Sequence, residues 1–390
     1  MTRPLRVMLV AVEASADALG AGLARALKAG LGEGVELVGV GGARMAAEGI
    51  ASPFDIGELS LVGLFEIVGV VPLALRRLEE TVQLAEAAKP DIAVLIDSWE
   101  FTWRVGRRMR LRTPGVALVK YVAPQVWATR PGRARVVARL FDRLMTLFDF
   151  EIGHFEGVAT TGVGAPALRR DFSQADPARL RGAIGAGPDD PILLVLPGSR
   201  PGEIKRVLPT FEDAASRLSD ARPDLRIVVP AADIVAEQVK ARVAGWPRRA
   251  YVVEGERDKL DAMRAATVAL ACSGTVTTEL AVAGCPMVVG YRGHPATALV
   301  ARAIIRTRFF TLFNIAADRE IAPEFLQEHC NGGELAAVVA ALLDDPARRA
   351  AQVEAQTAAL AKLGMSRSDP YQAAAEVVID LARERGLIEG

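Results

Sequence analysis

Short apolar runs recur along the chain, each closing in a polar or glycine-containing turn and followed by a stretch with helical spacing. In the first half the runs are RVMLVAVE, VELVGVGG, DIAVLID and VALVKYVAP, and the segment DALGAGLARALKAG after the first of them has the period of an amphipathic helix. Near-continuous apolar strands separated by helices predict a parallel sheet covered on both faces. From Thr160 to Asp190 the pattern lapses into a loop-like connection and then restarts as PILLVLPGS, LRIVVPA, RAYVVEGE, ATVALACSG and CPMVVGYR. The expectation is an α/β protein of two doubly wound domains, residues 1–175 and 176–366. The tail, 367–390, contains one amphipathic helix, DPYQAAAEVVIDLARERGL, able to pack back on the first domain.

Composition supports two domains. The 390 residues exceed the roughly 250–300 at which a single core stops growing. Acidic and basic residues balance at 47 each, so no global field draws the chain to nucleic acid, and no nucleic-acid partner is expected. Cys272, Cys285 and Cys330 have no paired spacing of a metal site or disulfide framework, which fits a reducing cytoplasm. The opening MTRPLRVMLVAVEAS carries Glu13 within a short apolar run and reads as a buried strand, not a signal peptide.

One stretch, Leu59 to Leu78, is apolar and then basic. Gly63, Glu66, Gly69 and Pro72 interrupt it, so it falls short of the roughly 20 clean apolar residues of a membrane span. Two readings remain: a core helix pair broken at the proline, or a surface that dips into the bilayer interface, with Arg76 and Arg77 beside anionic headgroups.

Open α/β sheets bind ligands outside the carboxyl ends of their strands. That rule singles out GGARM, DSWEF, APQVW, PGSR and SGT, and with two such domains face to face the cleft between them becomes the expected site. Asp97, at the end of LIDSWEF, is either a strand cap or a catalytic base. In LPGSRPGEI, Gly198 lets backbone N–H groups approach an anion and Arg200 offers a fork for phosphate oxygens. Ser273, Gly274 and Thr275 end a strand and open a helix, which suits either an ordinary N-cap or a negative ligand. In IAPEFLQ, Pro323 reads as the start of a helix with Glu324 in its first turn, where a carboxylate could accept two vicinal hydroxyls of a ribose. Walker, dinucleotide-fingerprint, zincin and nucleophile-elbow signatures are missing. His154, His294 and His329 read as surface or loop residues.

Taken together, VEASADALGA, GVGGARM, KPDIAVLIDSWEF, YVAPQVWATRPGR, LPGSRPGEI, SGTVTTELAVAGCPMVVGYR and FNIAADREIAPEFLQ closely resemble the motifs of the lipid-A-disaccharide synthase family, in order and over nearly the whole chain. The resemblance implies a GT-B architecture of two Rossmann-like domains facing a central cleft, and an inverting hexosyltransferase. It would move 2,3-diacylglucosamine from UDP to the 6-hydroxyl of 2,3-diacylglucosamine 1-phosphate, giving the β-1,6 disaccharide and UDP. No metal or other cofactor is implied.

By the same resemblance the second domain takes the UDP-sugar, with Arg200 and Ser273–Thr275 near the diphosphate, Glu324 on the ribose, and Asn314 and Gln327 in the same pocket. The first domain takes the acylated sugar-phosphate acceptor and faces the membrane, with Asp97 as base and Glu13, Ser15 and Asp17 in contact with substrate. A cytoplasmic enzyme peripheral to the inner membrane is implied, and a homo-oligomer is compatible with it. An inverting transfer needs one carboxylate to take the acceptor proton, and cationic or N–H donors for the leaving diphosphate, which these loops supply.

The sequence departs from the family pattern at Ala16, Trp99, Glu100, Asp149, Ala165 and Phe313, mostly on the acceptor side. The alternative those departures leave is a transferase of the same fold with a different lipid acceptor.

Overall fold

The computed structural model describes residues 3–60, 67–246, 250–293, 307–365 and 369–389. They form two compact units: Met1–Pro166 with Ser366–Gly390, and Ala167–Met365. The divide falls after Pro166, ahead of residue 175.

In the first unit, β1 (Leu5–Val10), β2 (Val35–Val40), β3 (Ile92–Ile96), β4 (Ala117–Tyr121), β5 (Arg143–Thr146) and β6 (Ala159–Gly162) make one parallel sheet in the order β2-β1-β3-β4-β5-β6. Alternation along the strands divides their side chains between two cores. Val7, Leu9, Val94 and Val119 pack on one face, Met8, Val10, Leu95 and Leu118 on the other. A sheet buried on both faces explains why these strands read as unbroken apolar runs.

The final helix, Pro370–Glu384, lies on the first of these faces against the helix Ala14–Leu31, with Ala374, Val378 and Leu381 in the core. Gly22 makes that approach possible, since a Cβ there would stand 2.2 Å from the Tyr371 ring. Asp369 caps the helix, accepting from Tyr371 N at 2.7 Å.

In the second unit, β7 (Ile192–Leu196), β8 (Arg226–Ala231), β9 (Ala250–Glu254), β10 (Val268–Cys272), β11 (Met287–Tyr291) and β12 (Glu324–Leu326) form a parallel sheet in the order β12-β11-β10-β7-β8-β9. The core of one face gathers Phe211, Leu218, Val229, Leu270 and Val339.

Three expectations need correcting. The span from Thr160 to Asp190 is not all loop, because it completes β6 and carries the helix Pro177–Ile184. The segment IAPEFLQ does not begin a helix: Glu324–Leu326 is a strand paired parallel with β11, and Val289 N donates to Pro323 O at 2.9 Å. The edge of β11 offered unpaired backbone groups, and pairing with it overrode the local helix-start signal. Pro72 lies inside the helix Ile67–Ala88 instead of ending one. Residues 61–66 of the Leu59–Leu78 stretch, and His294, lie outside the described residues. Among the described residues no helix is long and apolar enough to cross a membrane.

Candidate active site

Each sheet reverses its winding direction once. In the first the chain leaves β2 on one side of β1 and returns as β3 on the other, so the switch point lies between the ends of β1 and β3. Glu13 and Asp97 follow those two ends. In the second the switch point lies between β7 and β10, whose ends carry Gly198–Arg200 and Ser273–Thr275.

At the first switch point the backbone bends sharply. Asp97 and Ser98 hold φ of 47° and 37° between β3 and the helix Trp99–Arg112. Left-handed backbone at consecutive non-glycine residues persists only where its surroundings fix it. Here Asp97 N donates to Tyr121 O (2.8 Å), and Thr102 Oγ1 donates to Asp97 O (2.8 Å). The Ser98 hydroxyl donates to Glu13 Oε1 at 2.8 Å. Asp97 is half-buried and Ser15 is exposed.

Asp17, 4 % exposed, accepts from the N–H groups of Gly42, Arg44 and Met45 at 2.7, 3.0 and 3.1 Å. Its carboxylate therefore holds the GGARM loop and caps the short helix Ala43–Ala47.

Lys120 was not legible as a site residue, yet it lies fully buried beneath the same turn, with Nζ donating to the carbonyl of Asp97. Burial pushes its amine down to about 7, against the opposing pull of Asp97 and Glu13. Beyond β4, Trp127 Nε1 donates to buried Glu151 at 3.2 Å, and Phe148 N donates to its other oxygen at 3.2 Å. Burial pushes the Glu151 carboxyl up to about 7.

At the second switch point a cavity of about 470 Å³ is lined by Gly198, Ser199, Arg200, Ser273, Gly274 and Thr275, together with Glu203 and Lys259. Gly274 is the N-cap of the helix Thr275–Val282, and its position carries no side-chain cap. The positive end of that helix thus faces the cavity beside the Arg200 guanidinium, whose side chain is 80 % exposed. Glu203 lies in the first turn of the helix Pro201–Ala221, accepting from Ser199 N (3.0 Å) and Arg200 N (3.3 Å). Lys259 pairs with Glu279 at 2.5 Å. Neither Glu203 nor Lys259 was singled out from the sequence, where nothing but position in the fold distinguishes them from surface charges.

Asn314 and Glu324 form a separate cluster, also in the second unit. Asn314 is fully buried, and its Nδ2 donates to Ala322 O and to Glu324 Oε1, each at 2.9 Å. Glu324 Oε1 also accepts from Thr311 N (2.7 Å) and Thr311 Oγ1 (2.6 Å), and Oε2 accepts from Phe310 N (2.9 Å). Oε2 retains room for a further donor, while Oε1 is taken. Gln327 follows β12 with φ 52°, its amide close to Gly293.

A larger cavity, about 720 Å³, opens beside Asp91, Val116 and Arg385. It lies at the amino ends of β3 and β4, the edge at which open α/β sheets do not place their ligands.

The family profile described as lipid-A-disaccharide synthetase matches residues 7–378. The chain belongs to the lipid-A-disaccharide synthase family. The lipid-A-disaccharide synthase of Rhodospirillum centenum is 41 % identical over 98 % of this chain and 96 % of that protein. That of Paramagnetospirillum magneticum is 41 % identical over 97 % of this chain and 98 % of its own. Members of the family form the disaccharide of lipid A, and this chain is accordingly a glycosyltransferase of lipid A biosynthesis.

Solved structures are similar in fold at low identity. A complex of S. aureus MnaA with UDP superposes with a TM-score of 0.64 at 16 % identity, covering 99 % of this chain and 98 % of that one. Acinetobacter baumannii MurG gives 0.58 at 16 %, covering 97 % and 100 %. Both agree with a GT-B fold of two Rossmann-like units.

Two departures from the lipid-A-disaccharide synthase pattern are absorbed by packing: Phe313 is fully buried and Ala165 is 4 % exposed. Trp99 stacks instead under the Arg133 guanidinium, 5.6 Å from its ring centre. Nearby Glu100 is exposed and pairs with Arg104 at 2.8 Å and Arg133 at 2.5 Å.

Proposed function

We propose that Asp97 is the base of an inverting transfer in which the 6-hydroxyl of 2,3-diacylglucosamine 1-phosphate attacks the anomeric carbon of UDP-2,3-diacylglucosamine. The C–O bond to the sugar forms as the bond to the diphosphate breaks, the hydroxyl proton passes to the Asp97 carboxylate, and UDP leaves with the bonding electrons. The observation that carries this reading is the placement of Asp97, half-buried at the end of β3 at the switch point of the first sheet, with the next residue, Ser98, bonded to Glu13.

Charge on the departing diphosphate is met in the second unit by Arg200 and the uncapped N–H groups at Ser273–Thr275. Glu324 takes the ribose, with Asn314 holding the carboxylate in place and Gln327 beside it. Glu13 and Ser15 border the acceptor, and Asp17 serves by fixing the neighbouring loop. In this reading the first unit is the acceptor domain and the second the UDP-sugar domain.

Acylated substrates reside in a bilayer, so the reading includes peripheral docking on the cytoplasmic face of the inner membrane. A flotation assay with anionic vesicles checks that part, and protein left wholly in the unbound fraction counts against it.

The catalytic part is tested with Asp97→Asn in a transfer assay with UDP-diacylglucosamine and the acylated acceptor. Turnover is expected to fall by a factor on the order of 100 to 10,000, with UDP affinity and folding intact. Full turnover would leave Asp97 as a strand cap.

A further inference from the structure

The turn that presents Asp97 stands on a buried amine. Lys120, on β4, is 1 % exposed, and its Nζ donates to the carbonyls of Asp97 (2.5 Å), Leu95 (3.2 Å) and Tyr121 (3.5 Å). An ammonium has three N–H donors, and here three carbonyls drawn from the ends of two neighbouring strands receive them. Those carbonyls flank every left-handed residue of the turn pair: Asp97 and Ser98 after β3, and Val122, φ 72°, after β4. A β-branched residue at positive φ is an outlier that only a fixed environment sustains.

The charged groups facing the amine are the carboxylates of Asp97 and Glu13. A methionine would fill this place in the sheet without removing a charge from water. The lysine is therefore costly as packing and useful only for what its charge and donors do.

We propose that Lys120 is the positioning residue for Asp97: its Nζ, donating to the carbonyls of both strand ends, ties the two turns together and so fixes the direction in which the carboxylate meets the acceptor hydroxyl. It touches no reacting atom. This inference rests on Asp97 being the base.

The test uses the full-length protein with Lys120→Met, alone and combined with Asp97→Asn. Lys120→Met is expected to lower kcat about 10- to 100-fold while the KM for the UDP-sugar stays within about 2-fold. Added to Asp97→Asn, it is expected to cost nothing further, because a turn that no longer presents a base has no direction to lose. Unchanged kcat in Lys120→Met, or a loss that multiplies with that of Asp97→Asn, overturns the positioning role and leaves the base assignment standing. Full turnover in Asp97→Asn alone overturns the base assignment itself.

If Lys120→Met does not fold, ¹³C NMR of the seven lysine Cε positions decides, comparing wild type with Asp97→Asn. The Lys120 midpoint is expected at lower pH in Asp97→Asn, since the opposite charge that favours the ammonium is gone. Identical midpoints overturn the proposal.

Discussion

The hydroxyl of Ser98 reaches across from the end of β3 to Glu13 Oε1, 2.8 Å away at the end of β1. This bond spans the switch point of the first sheet and ties the residue after Asp97 to the start of the first helix. The pair is exposed, so its contribution to folding is small. Ser98→Ala is expected to cost about 0.5–1.5 kcal/mol of unfolding free energy, read by chemical denaturation. Turnover should fall more than stability suggests, by about 10-fold, because a loosened turn misdirects the base. A variant with full kcat would show the bond to be scaffolding.

Gly198 should tolerate nothing larger. Its φ is 119°, and an added Cβ would sit 2.5 Å from Glu203 Oε2 and 2.7 Å from Glu203 Cβ. Gly198→Ala therefore expels the carboxylate that accepts from the backbone of Ser199 and Arg200. Strain at such a position costs about 1–3 kcal/mol, and UDP affinity measured by calorimetry should drop with it. Unaltered UDP affinity would remove this loop from the donor site.

Glu151 gives the fold a pH dependence. Burial raises its folded-state value from 4.5 to about 7, so the folded chain binds this proton more tightly than the unfolded chain does. The contribution is fully present below about 4.5 and is lost as pH rises through about 7, a swing of about 3 kcal/mol. Glu151→Gln cannot titrate. Across that window the unfolding free energy of wild type should fall by roughly this amount relative to the variant, and parallel curves would place the proton elsewhere.

The sequence made the switch points legible because strand ends in doubly wound sheets are marked by abrupt changes from apolar runs to Asp, Ser and Gly. Asp97, Arg200 and Ser273–Thr275 stood out for that reason. The short strands β5, β6 and β12 did not, since RLMT, ATTG and EFL lack any long apolar run and owe their conformation to a neighbouring edge. Lys120 was hidden differently. Within VALVKYVAP it interrupts an otherwise apolar central strand, and such an interruption is itself a signal, because a strand buried on both faces has no solvent for an amine. Its role depends on which carbonyls β3 brings alongside, and strand order is what a single sequence does not display. Asp17 shows the converse. Its motif resembles a substrate contact, but three backbone N–H groups already hold its buried carboxylate, two on Oδ1 and one on Oδ2, an occupancy no sequence pattern displays.

Glu324 bears on the nucleotide itself. The sequence allowed its carboxylate two vicinal ribose hydroxyls, but Oε1 already accepts from Thr311 N, Thr311 Oγ1 and Asn314 Nδ2, and Oε2 accepts from Phe310 N. One acceptor position on Oε2 remains, enough for a single hydroxyl. Of 2′-deoxy-UDP and 3′-deoxy-UDP, one should therefore bind about 10-fold more weakly than UDP, the worth of a hydrogen bond to a charged group, and the other nearly as well. Calorimetry on the three nucleotides reads this directly. Equal losses for both analogues would mean that the carboxylate rearranges to grip the ribose with both oxygens, releasing the backbone of Phe310 and Thr311. No loss for either would take Glu324 out of the ribose site and leave it as a brace for the backbone of Phe310 and Thr311 and for the Asn314 amide.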